Sequence, residues 1–160
     1  MLDNTVQPIP EGFHTLTPTL VVRGAARAID FYKQAFGAVE LSRAPSPDGQ
    51  LIWNATLQIG DSRFMLCDEM PDGGCLGPQS VGGSSAGIHI YVEDADTVYQ
   101  RAIDAGATVI MAIENMFWGD RYGTIRDPFG HTWSIATHIE NPSKEEMERR
   151  TKGFATASNN

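Results

Sequence analysis

The feature that most constrains this chain is that it reads twice. A short β run, Thr17–Val22, leads into an amphipathic segment whose Ala25, Ala28, Ile29, Tyr32 and Phe36 share one helical face. Gly37-Ala38 closes that segment and opens a second β run, Val39–Arg43. Ile88–Val92 leads in the same way into a helix with Ala95, Val98, Tyr99, Ala102 and Ile103 on one face. Asp94 can cap its start and Gly106 its end, and Thr108–Ile113 follows. Val22 and Val92, like Ala38 and Ala107, stand about 70 residues apart. A repeat of that period is one supersecondary unit, too small to bury its own apolar face, so two copies are expected to complete one fold.

Each half then continues as a hairpin. Leu51–Ile59 and Ser62–Cys67 are joined by Gly60-Asp61; Tyr122–Arg126 and Thr132–His138 are joined by Asp127-Pro128-Phe129-Gly130. The expected fold is therefore α+β, with tandem βαβββ modules over 13–68 and 86–140. Their strands are expected to form a cupped, mostly antiparallel, eight-stranded sheet. The Gly-, Pro- and Ser-rich stretch 69–85 reads as a linker and a candidate lid. Residues 141–160 lie outside the modules: Ser143 with Glu146 makes a capping box for a charged helix, Lys144–Arg150, and the tail from Thr151 is expected to fray.

Composition removes several function classes. The formal net charge is −8, a surface that repels phosphate backbones, so nucleic acid is excluded as a partner. No apolar run reaches the roughly 18 residues that a membrane span requires. Met1–Gly12 has neither the basic start nor the apolar stretch of a secretory leader. Cys67 and Cys75 do not have C-x-x-C spacing and are expected to be free thiols in a cytoplasmic protein.

Alternation along the strands separates two faces. One carries Pro18, Leu20, Val22, Trp53, Ala55, Leu57, Ile59, Phe64, Leu66, Ile88, Ile90, Val92, Trp133 and Ile135, and is expected to pack on the helices. The other carries Thr15, Thr17, Thr19, Asn54, Thr56, Gln58, Met65, Cys67, His89, Tyr91, Ser134 and His138. It is polar yet almost uncharged. A plainly solvated face would carry Lys, Glu and Arg. Hydroxyl, amide, imidazole and sulfur groups tolerate partial burial, and they suit an uncharged or aromatic small molecule.

The wording of particular stretches resembles a known superfamily. Thr-Pro-x-Leu-Val-Val with Ala-Ile-Asp-Phe-Tyr-Lys-x-Ala-Phe-Gly-Ala at 17–38, Ile-Gly-Asp-Ser at 59–62, and Trp-Gly-Asp-Arg-Tyr-Gly followed by Asp-Pro-Phe-Gly-His at 118–131 carry the likeness. Over residues 14–140 the chain is similar to the vicinal oxygen chelate superfamily, in its PhnB-like glyoxalase/bleomycin resistance protein/dioxygenase branch. That resemblance implies the paired-module fold and a homodimer. It also implies a metal held at four strand positions by His or Gln, Glu, His and Glu. Those positions fall here on Thr17, Met65, Gly87 and Ser134, and the branch's third-strand His and Glu fall on Asn54 and Thr56. A catalytic metal needs about three protein ligands, so no metal and no other cofactor is expected.

The expected role is metal-independent binding of an uncharged or aromatic ligand, in the manner of drug-sequestering antibiotic-resistance proteins. Trp118 and Tyr122, beside Arg121, would supply stacking surface; Thr17, Asn54, Thr56, Met65, Cys67, His89, Tyr91 and Ser134 would line the site. The alternative is a lyase, isomerase or dioxygenase with His89 as general base, or with a divalent metal on an unorthodox set such as Cys67, His89 and His138. A third class is a module that acts only through its dimer surface. His14 and His131 read as structural or surface residues. Asp94 and Asp96 read as a cap and a first-turn residue rather than a catalytic pair.

Overall fold

The computed structural model describes residues 6–157. The first part of the Met1–Gly12 segment and the last residues of the tail, 158–160, lie outside the described residues. The chain divides into two compact units, Met1–Gly83 and Ser84–Asn160, and each contains one module.

In the first unit β1 (Thr19–Val22) passes through α1 (Ala25–Phe36) to β2 (Val39–Pro45), β3 (Ile52–Ile59) and β4 (Ser62–Asp68). The sheet order is β1-β4-β3-β2. The helix carries the chain from one edge of the sheet to the other. Two antiparallel turns then bring it back, so β4 lands parallel to β1. The second unit repeats this with β5 (Gly87–Tyr91), α3 (Ala95–Asp104), β6 (Thr108–Asn115), β7 (Asp120–Arg126) and β8 (Thr132–His138), in the order β5-β8-β7-β6. The α+β class and the tandem βαβββ plan expected from the repeat are both observed, as two four-stranded mixed sheets.

The apolar stripes behave as their periodicity demands. Ala25, Ala28, Ile29, Tyr32, Ala35 and Phe36 of α1 are buried, together with Leu20, Val22, Ala55, Leu57, Phe64 and Leu66 of the sheet. The Tyr32 ring meets Phe64 edge-on at 5.6 Å. Each such large side chain contributes roughly 1.5–3 kcal/mol by leaving water. In the second unit Tyr99 and Ala102 of α3 are buried with Ile125, Trp133 and Ile135.

Both modules cap the start of their helix with the end of their last strand. Gly24, at φ 93, offers α1 no side-chain cap. The Asp68 carboxylate accepts from the backbone N–H of Gly24 (2.9 Å) and Ala25 (2.8 Å), and its other oxygen accepts from Ile52 N–H (2.8 Å). In the second module Thr137 Oγ1 accepts from Ala95 N–H (2.8 Å), and Asp94 accepts from Thr97 N–H as expected (3.0 Å).

Some sequence expectations shift. Trp53 remains 48% exposed, and Ile52 is buried instead. The β2–β3 pairing steps from Ala44↔Asn54 to Pro45↔Ile52, and the irregularity changes the facing at the start of β3. Pro18 is exposed and stands outside β1; it has no N–H to pair, although its carbonyl accepts from Met65 N–H (2.9 Å). The final helix α4 runs over Lys144–Ala157 rather than ending at Arg150. Arg150 pairs there with Glu146 and Glu140, and Phe154 packs on Phe117 at 5.1 Å. The 69–85 stretch is locally structured: Met70 bridges Cys75, a tight turn spans Pro71–Gly73, and the short helix α2 covers Pro78–Val81. Arg23 holds it to the end of β1 through Glu69 (3.1 Å) and Ser80 (2.6 Å). Among the described residues, no helix is long and apolar enough to cross a membrane.

Candidate functional site

The second sheet gathers aromatic and polar side chains on one face. Parallel pairing sets His89 opposite Ser134 and Tyr91 opposite Ala136; antiparallel pairing sets Tyr122 opposite Ala136 and Thr124 opposite Ser134. Alternation therefore points His89, Tyr91, Tyr122, Thr124 and Ser134 the same way. The rings are contiguous. His89 meets Tyr91 edge-on at 4.5 Å and lies nearly parallel to Tyr122 at 5.9 Å. Before β7, Gly119 at φ 103 closes a tight turn, Gly119 N–H to Met116 O (3.0 Å), that carries Trp118 over Tyr122 at 5.3 Å.

A buried carboxylate organises the rim of this face. Asp120 is only 3% exposed. Its Oδ2 accepts from the Trp118 indole (2.8 Å) and the Tyr91 hydroxyl (3.1 Å), and its Oδ1 accepts from His138 Nδ1 (2.7 Å). Burial alone would push the Asp120 pKa up, but the bonds donated by His138, Trp118 and Tyr91 outweigh it and hold the carboxyl below its ordinary range. The same bond raises the Tyr91 phenol. His138 is raised by Asn141 Oδ1, which faces Nε2 at 2.9 Å, and by Asp120; acceptors at both ring nitrogens favour the imidazolium. Tyr122 Oη shares a hydrogen bond with Ser134 Oγ (2.9 Å) and accepts one from Thr124 Oγ1 (3.2 Å). The phenols are thus pinned by their hydroxyls, which leaves ring faces as the adaptable surface. His89 is exposed, and its imidazole makes, among the described residues, ring contacts but no hydrogen bond.

The pair Asp120–His138 has a pH signature. A carboxyl with a lowered pKa stabilises the fold above its unfolded value near pH ~3.9, and that contribution is lost as pH falls through the native value. A histidine with a raised pKa stabilises below its unfolded value near pH ~6.5, and that contribution is lost as pH rises through the native value. The pair is therefore expected to contribute most between roughly pH 4 and 6.5. Urea midpoints measured against pH for the wild type and His138→Gln should differ most in that window and converge above it. A constant difference would show that His138 acts without its charge.

The first sheet carries the other residues singled out from sequence. Met65 stands between Thr19 of β1 and the buried Thr56 of β3 in the pairing register. Asn54 Nδ2 donates weakly to Met65 Sδ (3.8 Å). Thr17 lies just before β1, its hydroxyl directed at His14 O (3.4 Å). Cys67 is buried, and its sulfur is 3.9 Å from Cys75 Sγ. Burial first, then the Cys75 contact, pushes the Cys67 thiol up to about 11, so it carries little thiolate near neutrality and is not a ready anionic metal ligand.

Arg121 points away from Tyr122. It pairs with Asp96 on α3 (2.7 and 2.9 Å) and touches Asn115 (3.3 Å), so its guanidinium braces the helix rather than joining Trp118 and Tyr122. His138, placed by the sequence on the polar face and in an unorthodox metal set, is bound into the Asp120 network. In the sequence Asp120 stands out only as part of the Trp-Gly-Asp-Arg-Tyr-Gly stretch. The signal that could have found it is simple alternation: two positions before Tyr122, it shares the Tyr122 face.

The four positions that the metal set of the resembling superfamily would occupy do not fit a divalent ion. They offer two hydroxyls at Thr17 and Ser134, a thioether at Met65 and no side chain at Gly87. In the pairing register Met65 stands opposite Thr19 and Ser134 opposite His89, and Thr19 and His89 are each two residues on from Thr17 and Gly87. Hard divalent cations need carboxylate or imidazole donors there. Among the described residues, no group of three or more His, Cys, Asp and Glu side chains is arranged to hold a metal ion.

Residues 13–135 match the family model described as Glyoxalase/Bleomycin resistance protein/Dioxygenase superfamily. The uncharacterized protein Mb0911c of Mycobacterium bovis is 48% identical over 136 residues, which span 83% of this chain and 89% of that protein. The crystal structure of the Arabidopsis thaliana gene product At5g48480 superposes with a TM-score of 0.63 at 28% identity, covering 78% of this chain and 98% of that one. TioX from Micromonospora sp. ML1 gives 0.63 at 26% identity, covering 79% and 99%.

Proposed function

Since the chain belongs to the Glyoxalase/Bleomycin resistance protein/Dioxygenase superfamily, we propose that it is a metal-independent binding protein that sequesters an uncharged or aromatic small molecule against the polar face of its second sheet. The observation that carries this reading is the contiguous ring surface of His89, Tyr91, Tyr122 and Trp118, of which Tyr91 and Trp118 are held by an Asp120 carboxylate whose oxygens are already engaged. Such a surface suits stacking on a planar ligand. Proton transfer is less well supported. Asp120 is committed to three donors, and among the described residues His89 lacks the orienting partner that a general base needs. In this reading the protein works as a cytoplasmic homodimer and protects by sequestration, the resistance role that the family description includes.

The test is a thermal-melt screen of planar aromatic drugs and metabolites with and without EDTA. A ligand at about 100 times its Kd adds roughly 2.7 kcal/mol of stability, a readable shift that EDTA should leave intact. Trp118→Ala should weaken that ligand about tenfold, the loss of ~1.4 kcal/mol of stacking. A shift abolished by EDTA would overturn the metal-free reading. Turnover of a bound ligand that disappears in His89→Gln would move the protein to the enzyme class.

A further inference from the structure

We propose that Cys67 and Cys75 form a peroxide-responsive dithiol, which closes to an intramolecular disulfide tying the segment after β4 back to that strand. The inference is independent of ligand binding. It rests on two free thiols whose sulfurs stand 3.9 Å apart. A disulfide needs a separation near 2.05 Å, so the gap is one that side-chain rotation can close if the backbones are already placed. They are placed. Met70 N–H donates to Cys75 O (2.8 Å), and Cys75 N–H donates to Met70 O (3.1 Å), folding the chain back beside the end of β4. Beyond Cys75, Gly77 N–H donates to Glu69 Oε1 (2.8 Å), and Glu69 is held by Arg23 (3.1 Å). Both flanks of Cys75 are therefore anchored to Glu69 and Met70, the residues that directly follow the strand carrying Cys67.

The two thiols differ in access, and the difference assigns their roles. Cys75 is half-buried and reachable; Cys67 is buried. Hydrogen peroxide, the oxidant, transfers one oxygen to the Cys75 sulfur, giving a sulfenic acid and releasing water. The Cys67 sulfur then attacks the Cys75 sulfur. The S–O bond breaks, and the departing hydroxide takes the Cys67 proton as a second water. Two thiols and one peroxide thus yield one disulfide and two waters. A thiol reductant reverses the change by exchange.

The full chain, reduced and desalted, is exposed to hydrogen peroxide, denatured, alkylated with iodoacetamide and measured by intact and peptide mass. The expected product is a monomer lighter by about 2 Da, with no alkylated sulfur and one Cys67–Cys75 cross-linked peptide, and with both thiols recovered after dithiothreitol. In Cys67→Ala the resolving sulfur is gone, and dimedone should trap Cys75 as a sulfenic acid. Three results in the wild type would overturn the proposal: both thiols surviving the dose, a disulfide between two chains, or a gain of about 32 Da marking a sulfinic acid in place of the cross-link. The decisive readout is on the wild-type chain, so it stands whether or not the variant folds.

Discussion

Asp68→Ala is expected to destabilise the protein by about 3 kcal/mol or more, a large part of the 5–15 kcal/mol that holds a typical domain together. The substitution removes few contacts of its own. Its effect comes from what it strands. Three backbone N–H groups, of Gly24, Ala25 and Ile52, lose their acceptor together, and Ala25 and Ile52 are buried. Each stranded buried donor costs roughly 1–3 kcal/mol. Gly24 and Ala25 also form the start of α1, where a negative charge interacts favourably with the helix dipole. Asp68→Asn should recover only part of the loss. Its single carbonyl oxygen can serve one side of the junction, while its amide presents donors to N–H groups on the other. Urea unfolding of the two variants should therefore rank wild type above Asn and Asn above Ala. Equal midpoints for all three would mean that water replaces the carboxylate, and that Asp68 does not join β4 to the start of α1.

Gly119→Ala is expected to cost on the order of 3 kcal/mol and to disable ligand binding as well. Two effects add. The residue sits at φ 103, a backbone conformation that L side chains rarely adopt. A Cβ there would also overlap the carbonyl oxygen of Glu140 and come within 3.0 Å of Pro142 Cδ, and the first of these is backbone that cannot rotate aside. Relief requires the 116–120 turn to move. That motion would break the bonds from Ile139 N–H (2.9 Å) and Glu140 N–H (3.0 Å) to Gly119 O, and it would pull Trp118 from Asp120. Thermal melts should show the lost stability. Any aromatic ligand found with the wild type should lose more affinity in this variant than in Trp118→Ala. A variant that binds like the wild type would show that the turn tolerates displacement and that Trp118 is not positioned by it.

Local physics made much of this molecule legible in its sequence. The two helices declared themselves by 3.6-residue periodicity, the Asp94 cap by its place before an apolar run, and the duplication by the recurrence of Val22 and Ala38 at Val92 and Ala107. The Asp127-Pro128-Phe129-Gly130 turn was equally plain, because its chemistry is contained within a few residues; the Asp127 carboxylate accepts from Phe129 and His131 N–H within the same turn. Alternation also placed His89, Tyr91 and Ser134 together, since period-two facing is a property of the strand itself. What sequence could not assign were the roles of carboxylates and cations whose partners lie far along the chain. Asp68 caps a helix 43 residues earlier, Tyr91 meets Asp120 across 29 residues, and Arg121 reaches back 25 to Asp96. Nothing in the local pattern distinguishes such a charge from a solvated one. Its energy depends on which strands become neighbours, and that is decided only when the helix has carried the chain across the sheet and the last strand has come home parallel to the first.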